Sequence, residues 1–190
     1  MFKLQINDVK LVSAVGIDYS KLRNLLEAKK WQEADEETTK LMLRAAKCEE
    51  KGWLDRESIE EFPCEDLHTI DQLWEEYSNG HFGFSVQNRI YQSLGGSSEY
   101  DSDVWETFRY IVGWLKKGER LYYNDLTFSE KAPAAHLPVV GLFVGFVGKG
   151  IKADSFDGQC ALMAGLGGVV FDALASRLLN CNQSVPVLPE

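Results

Sequence analysis

The stretch FPCEDLHTIDQLWEEYSNGHFGFSVQNRIY, from Phe62 to Tyr91, decides the fold class. It reads as two amphipathic helices joined by a tight turn. Pro63 suits a first helical turn, where its fixed φ fits and its missing N–H would have had no intrahelical partner. Leu67, Ile70, Trp74 and Tyr77 then recur at intervals of three and four, which gathers them on one helical face. Asn79-Gly80 supplies the turn, because both residues enter the left-handed region at little cost. A second apolar stripe follows on Val86, Ile90 and Leu94. Between the two lies His81-Phe82-Gly83-Phe84, two flat apolar rings bracketing flexible backbone.

On the N-terminal side, Leu22, Leu25 and Leu26 predict a helix, and Trp31, Ala34, Thr38, Leu41, Met42 and Ala45 predict a longer one. Lys47 to Gly52 is a polar break, after which Trp53-Leu54 opens a short helical turn up to Phe62. On the C-terminal side, Gly95 to Ser98 reads as a linker. Asp103 with Glu106 reads as a capping box ahead of Val104, Trp105, Phe108, Ile111 and Val112. Lys116 to Tyr123 is basic and turn-like, and Leu126 to Pro138 has two prolines and no helical period. The expectation is an all-α bundle from about Asp18 to Val112 with a long irregular loop to Pro138. Three divisions follow: an arm at residues 1–10, a helical domain at 11–138, and a tail at 139–190.

The tail holds two apolar, glycine-rich runs, VVGLFVGFVG from Val139 and CALMAGLGGVVF from Cys160. Each is shorter than the roughly 20 residues an ordinary membrane-spanning helix needs. Gly141 and Gly145 have the spacing that favours close helix contact. A helical hairpin packed on the bundle or on a second copy is one reading. Peripheral membrane contact through residues 139–179 is the other.

At 190 residues the chain is long enough to bury a core, and 45% hydrophobic with 12% aromatic residues excludes disorder. A net charge of −9 argues against a nucleic-acid surface, which needs clustered Lys and Arg. The acidic runs Glu33 to Glu37 and Glu57 to Asp66 read as solvated helix faces and favourable N-terminal turns. Cys48, Cys64, Cys160 and Cys181 are scattered without a CxxC pair, and no signal-peptide pattern precedes them. Free thiols in a reducing, cytoplasmic setting are therefore expected. The three histidines do not converge with the cysteines at metal-ligand spacing, so no metal site is expected.

The Phe62 to Tyr91 string resembles the signature of the genomes-uncoupled tetrapyrrole-binding family, the accessory proteins of magnesium chelatase in plants and cyanobacteria. GIDYSKLRNLLEAKKWQEADEETTKLML (Gly16 to Leu43) and GWLDRESIEEF (Gly52 to Phe62) match ahead of it. VGW (Val112 to Trp114) and LTFSEKAPAAHLP (Leu126 to Pro138) match behind it. The resemblance runs from about Leu11 to Pro138, about two thirds of the chain. It implies a non-catalytic regulator of cyanobacterial type, with protoporphyrin IX or its magnesium form as ligand and a magnesium chelatase subunit as partner. The ligand would bring any metal with it.

A tetrapyrrole is a broad apolar ring with carboxylates at one edge, so it calls for aromatics, a few cations and a loop free to close. By resemblance the candidate contacts are Trp53, Ile59, Phe62, Phe84, Tyr122 and Phe128. Two departures from the family stand out. Ala135 precedes His136-Leu137-Pro138, where relatives that serve chlorophyll synthesis carry glycine. The uncharged run from Val139 replaces arginines that would pair with propionates. Arg177, in LASRLLNC, is the candidate replacement, with Lys116, Lys117 and Arg120 as the remaining cations near the loop.

Catalysis has no carrying motif: the chain has no glycine-rich phosphate loop, GxSxG or HExxH. Cys64 and His68, four residues apart, could form a thiol–imidazole pair on one helix face. The alternative to a porphyrin-binding regulator is an interaction or membrane-tethered signalling module on the same scaffold with a diverged pocket.

Overall fold

The computed structural model describes residues 9–97, 99–139 and 164–183. Within them the regular structure is helical apart from one small hairpin. Helices α1 (Ser20–Glu27) and α2 (Trp31–Ala45) pack against each other, and α2 buries Trp31, Ala34, Thr38, Leu41, Met42 and Ala45, the face its spacing predicts. Asp55 caps the short α3 (Arg56–Glu60), its Oδ1 accepting the Ser58 N–H at 3.0 Å. Pro63 stands at the N-cap of α4 (Cys64–Tyr77), which buries Leu67, Ile70, Trp74 and Tyr77. Asn79 and Gly80 follow with φ of 55° and 73°, the left-handed turn their residue types favour.

Helix α5 (Phe84–Ser93) departs from its expected face. It buries Phe84, Val86, Gln87, Asn88 and Tyr91, while Ile90 and Leu94 lie at the edge of the core. Helix α6 (Ser102–Ile111) is capped by Asp101, whose Oδ1 accepts the N–H groups of Asp103 and Val104 at 2.9 and 3.1 Å. The expected Asp103–Glu106 box is therefore displaced by two residues, and Ile111 faces solvent. The basic segment that follows forms β1 (Leu115–Lys116) and β2 (Glu119–Arg120), paired antiparallel through a Lys117-Gly118 turn. A single 3-10 turn at Tyr123–Asp125 leads into the irregular loop. Helix α7 (Ala164–Gln183) returns to pack chiefly on α3, with further contact to α4 and α5.

Two aromatic clusters organise the core. Trp31 stacks on Trp74 at 6.0 Å with Phe82 edge-on at 5.2 Å, and the Trp74 indole N–H donates to Thr38 Oγ1 at 2.9 Å. Tyr91, Trp105, Phe108, Trp114 and Phe171 form the second, in which Phe108 touches Phe171 at 4.8 Å. The second cluster joins α5, α6 and α7, so the tail helix belongs to the same core as the signature helices.

Three expectations fail on this frame. Cys64 and Cys181 form a disulfide across 117 residues of sequence, so these two thiols are not free, while Cys48 is free and buried. The Cys64–His68 pairing is thereby excluded, and His68 instead meets Asn182 Oδ1 at 3.1 Å. The acidic runs are not wholly solvated either. Asp66 is buried and accepts from Ser13 Oγ, the Ala14 N–H and Tyr19 Oη at 2.5, 2.9 and 2.7 Å, which pins the segment before α1 onto α4. Among the described residues no helix is long and apolar enough to cross a membrane. The arm at 1–8, the first apolar run beyond Val139 and the start of the second lie outside them.

Candidate functional site

The glycine-bracketed turn before α5 and the proline-rich loop after α6 are sewn together, largely through backbone atoms. The Gly83 N–H donates to the Leu137 carbonyl at 3.0 Å, and the Ala135 N–H to the His81 carbonyl at 2.8 Å. His81 Nε2 lies 2.8 Å from the Ala132 carbonyl. The buried Gln87 amide donates to the carbonyls of Ala135 and Pro138 at 3.2 and 2.7 Å. Gly83 sits at φ 130°, and a Cβ there would come within 3.0 Å of Glu75 Cγ and 3.1 Å of Asp71 Oδ1. Glycine is therefore required by both conformation and space.

His136 holds the other side of the loop. Its Nδ1 lies 2.6 Å from the Val112 carbonyl and its Nε2 accepts the Thr127 N–H at 3.2 Å, which together fix the neutral ring with its proton on Nδ1. Burial lowers its pKa below the ordinary histidine value, against the opposing pull of the Val112 carbonyl. The Trp114 indole N–H donates to the His136 carbonyl at 2.9 Å. Gly113, at φ 77°, leaves no room for a Cβ, which would stand 2.9 Å from Pro133 Cγ.

Asp35 anchors the same loop to α2. Its Oδ1 accepts the Val139 N–H at 2.7 Å and its Oδ2 the Tyr123 hydroxyl at 2.9 Å. Burial pushes its carboxyl up to about 7, although both hydrogen bonds favour the charged form. Asp71 plays a comparable part at the start of α5, taking the Ser85 N–H at 2.9 Å and the Ser85 hydroxyl, and burial raises it to about 6. Lys29 and Glu130 add a surface ion pair at 3.0 Å between the α1–α2 turn and the loop.

The candidate contacts divide into two groups on this frame. Ile59, Phe62 and Phe84 are buried in the packed core. Trp53 and Tyr122 are 38% and 58% exposed. Trp53 follows the end of α2 with Lys51 Nζ 5.6 Å from its ring centroid. Tyr122 stands on the loop next to Tyr123, and Phe128 is half-buried with its ring 5.1 Å from that of Tyr123. Arg177 points its Nε to the Phe62 carbonyl at 2.8 Å, so it caps the α3–α4 corner. Lys116 and Lys117 are exposed at the hairpin tip. A cavity of about 360 Å³ opens beside the Trp53 segment, lined by Ala45, Lys47, Lys51, Asp55, Ser58 and Glu61 among others.

Asp35, Gln87 and Tyr123 were not singled out from the sequence. Asp35 had a readable signal: it lies four residues after Trp31 and four before Thr39, on the buried side of α2. Its acidic neighbours hid that position. Among the described residues no group of three or more His, Cys, Asp or Glu side chains converges to hold a metal ion.

A sequence profile of the GUN4-like family matches residues 12–150. The Ycf53-like protein of Synechocystis is 37% identical over 134 residues, covering 68% of this chain and 54% of the relative. The tetrapyrrole-binding protein of Arabidopsis thaliana chloroplasts is 28% identical over 136 residues, covering 65% and 49%. The chain thus spans about half the length of the curated relatives it matches. In three dimensions it is similar to GUN4 of Chlamydomonas reinhardtii, with a TM-score of 0.62 and 30% identity over 70% of this chain and 87% of the other.

Proposed function

We propose that this chain, which belongs to the GUN4-like family, is a porphyrin-binding regulator that acts without catalysis of its own. One observation carries the reading: the turn before α5 and the His136-Leu137-Pro138 loop are tied into one frame, and Tyr122 stands exposed on the segment that leads into that loop. A flat ring binds by burying apolar area against flat side chains, and the exposed rings of Trp53 and Tyr122, with Phe128 at the loop's edge, offer that area. Lys51, Lys116 and Lys117 are cations within the same two segments, suited to propionates. A relative's name as a tetrapyrrole-binding protein supports the ligand class. Protoporphyrin IX and its magnesium form are the ligands proposed, magnesium chelatase the enzyme to which the complex is presented, and the interior of a cyanobacterial cell or plastid the setting. Residues 139–179 remain the segment through which contact with a membrane surface is proposed.

The test is titration of the purified chain with deuteroporphyrin, following quenching of its five tryptophans. A micromolar or tighter dissociation constant, about −8 kcal/mol or better, is expected. Trp53→Ala should weaken it at unchanged stability. The second reading, an interaction module with a lapsed pocket, is favoured by one observation: Arg177 is committed to the Phe62 carbonyl. Absence of quenching at porphyrin concentrations on the order of ten times that expected constant would make it the better account.

A further inference from the structure

The end of α7 and the start of α4 are joined at three successive points. Arg177 Nε donates to the Phe62 carbonyl at 2.8 Å, Cys181 is bonded to Cys64, and Asn182 meets His68 at 3.1 Å. Few buried apolar side chains of α3 and of this end of α7 stand beside these links. Helix α3, on which α7 chiefly rests, has five residues and buries one apolar side chain, Ile59. At this end of α7, Leu179 is exposed, and only Leu178 and Cys181 are buried apolar residues. Further back Phe171 and Leu174 sit in the core and Asp172 takes the Tyr91 hydroxyl at 2.6 Å. The disulfide is the covalent tie between the last two turns of α7 and the α3–α4 corner. The two residues also differ in burial: Cys64 is half-buried at a helix start, whereas Cys181 is fully buried.

We propose that Cys64–Cys181 is a thiol–disulfide exchange site for a dithiol protein, and that opening it frees the end of α7 from the α3–α4 corner. The attacking thiolate of the dithiol bonds to Sγ of Cys64, the less buried of the two residues. The Cys64–Cys181 bond breaks, and Cys181 leaves as a thiolate that takes a proton. The second thiol of the partner then attacks the mixed disulfide, releasing Cys64 as a thiol and leaving the partner oxidised. Two electrons and two protons pass to this chain. Once the bond is open, the Arg177 and Asn182 contacts are left as partly exposed polar links, each weak in water. Neither step depends on the porphyrin reading.

The test uses the full chain with Cys48→Ala and Cys160→Ala, so that only the pair titrates. A thioredoxin-class dithiol protein with its own reductase is the probe. Maleimide labelling under native conditions should rise from none to two thiols with catalytic amounts of the probe. Amide hydrogen exchange over residues 176–182 should then quicken at least tenfold, with α1 and α2 unchanged. Cys64→Ser should show the faster exchange from the outset and no response to the probe. Labelling without any reductant, or only in denaturant, would overturn the exchange site. Reduction that leaves exchange over 176–182 unchanged would overturn the release of α7.

Discussion

Asp35 and Tyr123, 88 residues apart in sequence, share a hydrogen bond of 2.9 Å on a carboxylate that also takes the Val139 N–H. A helix read as solvent-facing on its acidic side thus carries the fixing point of the loop. With its pKa raised to about 7, Asp35 keeps a proton in the folded chain where the unfolded chain has released it, above 3.8. Stability should therefore fall as pH rises from about 4 to 7, by up to about 1.4 kcal/mol for each pH unit crossed. Asp71 adds the same sign up to about 6. In denaturant melts Asp35→Asn should flatten this slope; an unchanged slope would assign it elsewhere.

His136 gives the opposite sign. Its folded pKa is lowered, so below about 6.5 the unfolded chain takes up a proton that the folded chain refuses, and stability is lost as pH falls. A proton forced onto Nε2 would face the Thr127 N–H, donor against donor. Amide exchange at Thr127 should quicken below this pH before the bundle melts. Uniform quickening along the chain would place the acid sensitivity outside the loop.

Ala135 occupies the left-handed region at φ 62°, a conformation costing an L-residue about 1–2 kcal/mol. Ala135→Gly should relieve that strain and lose one buried methyl, about 0.8 kcal/mol. A net stabilisation below about 1 kcal/mol is expected from thermal melts. Destabilisation would mean that the methyl's packing outweighs the backbone.

Phe84 and Trp53 should separate packing from binding. Phe84→Ala empties a core site and should cost about 3–5 kcal/mol of stability. Trp53→Ala, at an exposed ring, should leave stability within about 0.5 kcal/mol and weaken deuteroporphyrin roughly tenfold. The reverse pattern would remove Trp53 from the proposed site.

Arg177→Ala should lower stability by about 1–3 kcal/mol, through the loss of its bond to the Phe62 carbonyl. Free-acid and dimethyl-ester porphyrins should then weaken alike. Selective loss of the free acid would show instead that the guanidinium turns to a propionate when the ligand is bound.

The helices were legible because their faces repeat: Trp31 to Ala45 and Leu67 to Tyr77 bury the residues their spacing predicts. The frame was not, because its hydrogen bonds join residues more than forty apart and end on backbone carbonyls, which carry no residue identity. Gln87 is a case in point: its amide reaches two carbonyls far along the chain, and nothing beside it in the sequence marks it. Phe84 was open in the sequence, since an aromatic beside a glycine reads equally as a ligand contact or as core, and it is buried. The disulfide escaped because pairing across 117 residues leaves no local spacing to read.

The loop's attachment has a bearing on how such a protein can change over generations. Gly83, His81, Gln87 and Trp114 all grip the 132–138 segment by its carbonyls and one amide rather than by its side chains. Outward residues such as Tyr122 and Lys131 can therefore be exchanged without loosening the grip. A lineage can drift in what it recognises while its scaffold stays under selection. The same separation makes the outward positions within 121–131, Tyr122 and Lys131 among them, places where new ligand preferences could be installed by substitution alone.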